Sequence, residues 1–418
     1  MSTQLVSIIG LVLIFLVATV RSVNMGAVAF LGTFVIGTFV FGKEADDLFA
    51  GFPGDLFVVL AGVTLLFAIA KANGTVDWLI HAGVRAVRGR IALIPWVMFA
   101  VTSLLTMVGA VVPGAVAIMS PVGLSFAVRH RINPMLMGLL IINGASAGGF
   151  SPISIFGTIT NGVVDRNNLP GNPTLLWIAS FVFNVVLSVV VFFLFGGKDL
   201  LRRRVSTVED EPTSTEGQVR LDAPKATTLA GIVLLTVGAL FFDLDVGLLA
   251  ISIGTVLCLL WPGTTKKCVG EVAWPTVLLI CGVVTYVSLM ESVGTIDFLG
   301  NSVAGIGIPL LAAFVICLIG AAVSAFASTT GILGALIPLA VPFLLGGEIG
   351  AVGMITALAI SSSVVDSSPF STSGALVVAS TPEESRDRVF RGLMVWGMSM
   401  IAVAPICAWA IFVLPGWL

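Results

Sequence analysis

The chain has 418 residues, 57% hydrophobic and only 10% charged, with a formal net charge of −2 and a mean hydropathy of +1.12. Soluble domains carry roughly a quarter charged residues, so the supply here is under half the ordinary one. About 238 apolar residues (57% of 418) exceed what one soluble core can bury, whereas ten spans of about 20 residues absorb roughly 200 of them. These figures exclude a soluble enzyme, a nucleic-acid binder and a disordered scaffold. They leave an all-α polytopic membrane protein.

Apolar runs bounded by charges or by Gly and Pro predict membrane segments near 5–20, 25–42, 56–72, 92–128, 134–164 and 173–197. The first run follows MSTQLVSIIG, which has no basic region and no small-residue cleavage site, so it reads as a span rather than a signal peptide. The 92–128 run lies between Arg90 and Arg129 and is broken at Gly109, Pro113 and Gly114. A helical hairpin that enters and leaves on one side accounts for that break. The polar stretch 198–227 is a linker. Runs then resume near 228–242, 246–261, 275–292, 304–346, 350–380 and 392–414, the 304–346 run having the form of a second hairpin. The organisation read from this is a first repeat over 1–197, a cytoplasmic linker over 198–227 and a second repeat over 228–418.

Lys and Arg collect in the cytoplasmic loops of membrane proteins. Taking 71–91, 129–133, 198–227, 262–274 and 381–391 as cytoplasmic, together with Arg21, gathers eighteen of the twenty basic residues and leaves out only Lys43 and Arg166. Both termini are then extracytoplasmic, and the localisation expected is a multi-pass protein of the plasma (cytoplasmic) membrane. Five scattered cysteines with no metal-like spacing are read as reduced thiols, and His81 and His130 as headgroup-level side chains.

The two halves resemble each other. Gly62-Val63 recurs as Gly282-Val283, and the block Gly74 to Leu79 recurs as Gly294 to Leu299, both 220 residues on. Further along the offset is 217, pairing Gly114 with Gly331, Ser151-Pro152 with Ser368-Pro369, Ser154 with Ser371 and Gly157 with Gly374. Each half holds five full spans, one of them broken, and one hairpin. An odd number of crossings inverts the second half relative to the first, and inverted repeats with paired broken segments characterise secondary transporters. The chain has no GxxxxGK[ST] loop, no histidine at membrane depth and no Gly-x-Ser-x-Gly pattern, so it is read as a carrier and not an enzyme.

Broken helices at 134–164 and 350–380 free backbone groups that lipid cannot satisfy. The half-helices resuming after Pro152 and Pro369 aim N–H groups and partial positive charge inward, which suits a carboxylate. The expected substrate contacts are Ser146, Ser151, Ser154, Thr158 and Asn161 in the first half. In the second they are Ser328, Thr329, Thr330, Ser368, Ser371 and Thr372. Packing by small residues competes with contact for each serine taken singly. Asp366 is the one carboxylate at membrane depth, and its counterpart is Gly149. Such a residue is a functional candidate, and Asp366 with Ser328, Ser363 and Ser367 is the expected cation-coupling set, for Na+ or for a proton.

The stretch Gly51 to Phe57, the block GTVDWLIHAGVRAVRG from Gly74 to Gly89, Leu93-Ile94-Pro95-Trp96 and AGGFSPISI from Ala147 to Ile155 resemble the MatC-type malonate/dicarboxylate carriers of the ion transporter superfamily, distantly similar to divalent anion–sodium symporters. The resemblance covers about residues 1–165 most closely. It implies an elevator-type carrier, usually a homodimer, for malonate or C4 dicarboxylates. Sodium-coupled relatives carry Ser-Asn-Thr at both hairpin tips. Here the matching residues are Ser328, Thr329 and Thr330 in one half and Val111, Val112 and Pro113 in the other, so two sodium sites do not carry over.

The function expected is secondary active transport of a small dicarboxylate by alternating access, coupled to Na+ or H+. An anion efflux carrier or a cation/proton antiporter is the alternative. The partners expected are the dicarboxylate, the lipid bilayer and a second copy of the chain. No cofactor is expected beyond a bound Na+.

Overall fold

The computed structural model describes residues 3–21, 23–86, 90–202, 221–242, 244–295, 309–325 and 349–416, with isolated positions between 298 and 344. Part of the expected second hairpin, including Ser328 and Thr330 at its tip, and residues 203–220 of the linker lie outside the described residues. Regular structure among the described residues is wholly helical. Among the described residues six helical stretches, one of them Ala351–Ser380 taken across its break, are long and apolar enough to cross a membrane, and seven shorter apolar helices accompany them. The molecule is a membrane-embedded, multi-pass helical protein.

The first half begins with α1 (Thr3–Arg21) and α2 (Met25–Phe34), the latter running on as a π-helical turn over Val35–Val40. Short α3 (Ala45–Ala50), the span α4 (Gly54–Ala72) and α5 (Thr75–Ala86) follow. Next come α6 (Ile94–Met107), α7 (Val112–Arg129), α8 (Pro134–Gly149), α9 (Ile155–Arg166) and α10 (Pro173–Leu194). Starts are set by the sequence: Asn133 and Asn172 accept from Met135 N and Leu175 N, both at 3.0 Å, directly ahead of a first-turn proline. The short α11 (Gly197–Arg202) enters the linker. Beyond it stand α12 (Ala223–Phe241), α13 (Val246–Leu260), α14 (Pro262–Thr265), α15 (Trp274–Ser292), α16 (Pro309–Ser324), α17 (Ala351–Val364), α18 (Thr372–Ser380) and α19 (Glu383–Phe412).

Two stretches expected as loops are helical. Residues 75–86 form α5, and α19 begins at Glu383 rather than near residue 392. Charges at 383–391 mark the loss of hydrocarbon, not the loss of helix. Glu and Arg are good helix formers wherever water replaces lipid, and no proline lies between Pro382 and residue 392.

The helices sort into two packed groups. In the first, α2 lies against α15 and α4 against α13, with α1 on α2 and α12 on α13. Both main crossings are glycine contacts: a Cβ on Gly282 would overlap the Gly26 carbonyl, and one on Gly62 would sit 2.9 Å from the Gly247 carbonyl. In lipid, such close backbone approach supplies the dispersion contact that hydrophobicity cannot. Leu11, Ile14, Ala29, Val283 and Met290 fill the wedge between α1, α2 and α15, where the chain's single tyrosine, Tyr286, donates to Ser7 O at 2.8 Å.

The second group is built on α8, which packs against α6, α7 and α10, and on α17, which packs against α16 and α19. Helices α6 and α7 pack on each other around a turn at 108–111, and α18 lies along α7. The groups meet where α4 touches α9, where Arg166 pairs with Asp55, and where Gly109 (φ +110°) lies against Val63.

Gly282→Leu is expected to force α2 and α15 apart, at a cost of about 1–3 kcal/mol or more for overpacking. Thermal unfolding of the detergent-purified protein measures this. Gly263→Ala, at a position with open space around it, should leave the melting temperature unchanged.

Candidate functional site

The site is assembled from two helix breaks 217 residues apart. In the first half α8 ends at Gly149 and α9 starts at Ile155. Ser154 caps α9: its hydroxyl accepts from Gly157 N at 3.4 Å and donates to Ser151 O at 2.6 Å and to Gly149 O. In the second half α17 passes through a tight turn at Val365–Ser367, and α18 starts at Thr372. Ser371 repeats every bond. It accepts from Gly374 N at 3.3 Å, and donates to Ser368 O at 2.7 Å and Asp366 O at 2.5 Å.

The same chemistry dictates both turns. Breaking a helix inside lipid orphans carbonyls at one end and amides at the next, and one serine hydroxyl satisfies both kinds. The loop folds back so tightly that a Cβ on Gly157 would overlap the Ser151 carbonyl, and one on Gly374 the Ser368 carbonyl. Neighbours hold each loop in place. Gly148 lies on the Ser103 carbonyl of α6, and Gly397 of α19 lies on Ser368. Helix α8 packs directly against the 365–367 turn and against α18, so the two breaks share one buried region.

Placed in this frame, the expected residues divide by what they touch. Ser154 and Ser371 are committed to backbone atoms. Ser151, Ser146 and Ser368 are buried, and the Ser368 hydroxyl accepts from Phe370 N at 3.2 Å. Thr158 donates to Ile155 O at 3.1 Å, Ser363 to Ile360 O at 3.3 Å and Ser367 to Val364 O at 2.9 Å. Asn161 lies apart from the break, in a small cleft beside Val352, Ile355 and Thr356, and Thr372 is exposed. Thr329 is buried and shares a 2.8 Å hydrogen bond with Ser324.

Asp366 is the one buried acid among the described residues, 4% exposed. Ser373 donates to its Oδ2 at 2.5 Å. Sequence reasoning passed over Ser373, although a hydroxyl seven residues beyond the carboxylate, in the first turn after the break, was its visible signal. It also passed over a buried polar seam on α10 formed by Ser180, Asn184 and Ser188. Asn143 of α8 donates to Ser188 Oγ across that seam at 3.1 Å. A period of four residues puts all three seam residues on one face of the helix.

Two serine-clasped helix breaks in a helical membrane protein direct the comparison to transporters. Residues 1–149 match the family model described as the dicarboxylate carrier protein MatC N-terminus. The stretches from Gly51 to Phe57, Gly74 to Gly89 and Leu93 to Trp96 fall inside that match. In three dimensions the chain is similar to the YdaH transporter of Alcanivorax borkumensis. The TM-score is 0.60 and the identity 15%, over 88% of this chain and 89% of that one. That likeness is one of fold. No curated protein matches the chain in sequence. Both likenesses are to transport proteins, and neither is to an enzyme.

Replacing Ser371 or Ser154 by Ala removes the bonds that hold a break closed. Loss of a helix cap costs about 0.5–2 kcal/mol, and the stranded buried carbonyls add to it. Each variant is expected to melt at lower temperature than the parent, with the double variant lowest, as read by thermal-shift measurements in detergent.

Proposed function

We propose that the chain is a secondary carrier for a small dicarboxylate, of the malonate or C4 class, working by alternating access and coupled to Na+ or H+. The observation that carries this reading is the pair of serine-clasped breaks, packed into one buried region, in a chain whose first 149 residues match a dicarboxylate carrier family. The resumed helices α9 and α18 present amide groups and partial positive charge without a buried Lys or Arg beside them. The Ser154 and Ser371 hydroxyls shape the loops. Substrate carboxylates then fall to the first-turn amides and to Ser151, Thr158 and Ser368, with Ser328, Thr329 and Thr330 from the second hairpin.

Several features support two inverted repeats. Gly74 and Gly294, 220 residues apart, both adopt left-handed backbone (φ +78° and +70°), a conformation that favours glycine. The glycine crossing of α2 on α15 is matched by that of α4 on α13, and the α8–α10 pair by the α17–α19 pair. The grouping of helices suits an elevator, in which the unit bearing both breaks slides against α1, α2, α4, α12, α13 and α15. That second unit would be the static, dimerising one in a homodimer of the cytoplasmic membrane, with both termini extracytoplasmic. Asp366 would carry the coupling cation. Its burial also suits a cation/proton antiporter that moves no organic anion.

Purified protein in liposomes, offered labelled malonate and succinate under separately imposed Na+ and pH gradients, tests the reading. Uptake or exchange of a dicarboxylate is expected, with Asp366→Asn losing the response to the driving ion. Cation flux with no dicarboxylate movement would instead establish the antiporter. Normal coupling in Asp366→Asn would remove that residue from its role.

A further inference from the structure

The two breaks share a backbone and differ in chemistry. At the offset of 217, Asp366, Ser367 and Ser373 stand where the first half has Gly149, Phe150 and Phe156. In the second half Ser373 donates to Asp366 Oδ2 at 2.5 Å, and both residues are buried. In the first half the Phe150 and Phe156 rings meet with centroids 5.4 Å apart, both fully buried. A Cβ on Gly149 would lie 3.1 Å from the Val112 side chain and 3.2 Å from the Phe156 ring, so an aspartate there would have to push apolar neighbours aside. Hydrocarbon fills the first position, and a carboxylate with its hydroxyl partner occupies the second.

A carboxylate taken out of water costs several kcal/mol unless a positive charge or a proton neutralises it. Among the described residues, nothing packed against Asp366 supplies that charge. Helices α8, α16, α17 and α18, which pack around the break, carry no Asp, Glu, Lys, Arg or His, and Cys317 of α16 is their one titratable group. The charged residues of α19 all lie within 383–391, at its solvated start. The Ser373 hydroxyl and the amino end of α18 soften the negative charge but bring no full positive one.

We infer that each chain couples to one monovalent cation, a proton or Na+, held at Asp366 and Ser373, and that the first half has no counterpart to this site. The inference rests on the carrier reading above and adds to it a count. A dicarboxylate with both groups ionised carries two negative charges, and one cation cancels one of them. Each transport cycle then moves a net charge of −1. A membrane potential negative inside therefore opposes net uptake and favours exit, while exchange of one dicarboxylate for another moves no net charge.

The test uses the full chain in liposomes whose potential is set by K+ gradients with valinomycin. Labelled malonate and succinate are followed at a pH where both carboxylates are ionised, with Na+ and H+ gradients varied separately. The expected result is net uptake accelerated by an inside-positive potential, halted by the gradient calculated for one cation per dianion. Which gradient does this identifies the cation. Ser373→Ala, which keeps the carboxylate, should shift the half-saturating concentration of that cation about tenfold, the scale of a hydrogen bond to a charged group: upward for Na+, which loses a neighbouring oxygen, and downward for a proton, because the lost hydroxyl donates to the ionised carboxylate. Dicarboxylate flux indifferent to potential, or accelerated by an inside-negative potential, means two or more cations and overturns the count while leaving the carrier reading intact. Absence of any dicarboxylate flux, exchange included, overturns both.

Discussion

Every backbone donor and acceptor released inside a bilayer must find its partner within the chain, because lipid offers none. The two helix breaks meet this demand with a single device. A serine at the start of the resumed helix accepts from the amide three residues ahead and donates to carbonyls three and five residues behind. Glycine three residues after that serine allows the loop to lie on its own backbone. The cost of interrupting a helix at depth is thereby contained, and a polar centre can persist there. Packing of α6 on the first break and of α19 on the second completes the enclosure.

Division of labour follows from which residues this device leaves free. Ser154 and Ser371 looked like ligands because hydroxyls at a break suit an anion, yet their protons are already given to carbonyls. The scaffold of the breaks is therefore symmetric, while the chemistry beside it is not. Phe150 and Phe156 close one side with hydrocarbon, and Asp366 and Ser373 open the other to charge. A symmetric frame with an asymmetric filling lets one half take the charge without disturbing the geometry of the other.

The helices that carry no break depend on a different constraint, the close approach of backbones at glycine. Gly26 on Gly282 and Gly62 on Gly247 bring four spans within backbone contact. Among the described residues, the resulting unit is joined to the break-bearing one through the Arg166–Asp55 ion pair and the apolar fit of Gly109 against Val63. Arg166, one of the two basic residues left out of the loops expected to be cytoplasmic, has its charge met by the Asp55 carboxylate.

Much of this was legible in the sequence. The apolar runs marked the helices of the membrane region, Pro and Gly located both breaks and the 108–111 turn, and the offset of 217 paired Ser154 with Ser371, which make the same bonds. These features are local: they depend on what a short stretch of chain can do in lipid. Helix α5 and the early start of α19 were missed because charge was taken as the end of helix, when it marks only the end of hydrocarbon. The folded geometry decided which hydroxyls are spent on backbone and that Ser373 is the partner of Asp366, because the spacing puts each hydroxyl within reach of several acceptors and only the turn selects among them. The opening composition announced a membrane chain with few charges. The fold decided that one of them, Asp366, is buried with no basic side chain against it among the described residues, because helices distant in sequence surround it with uncharged faces.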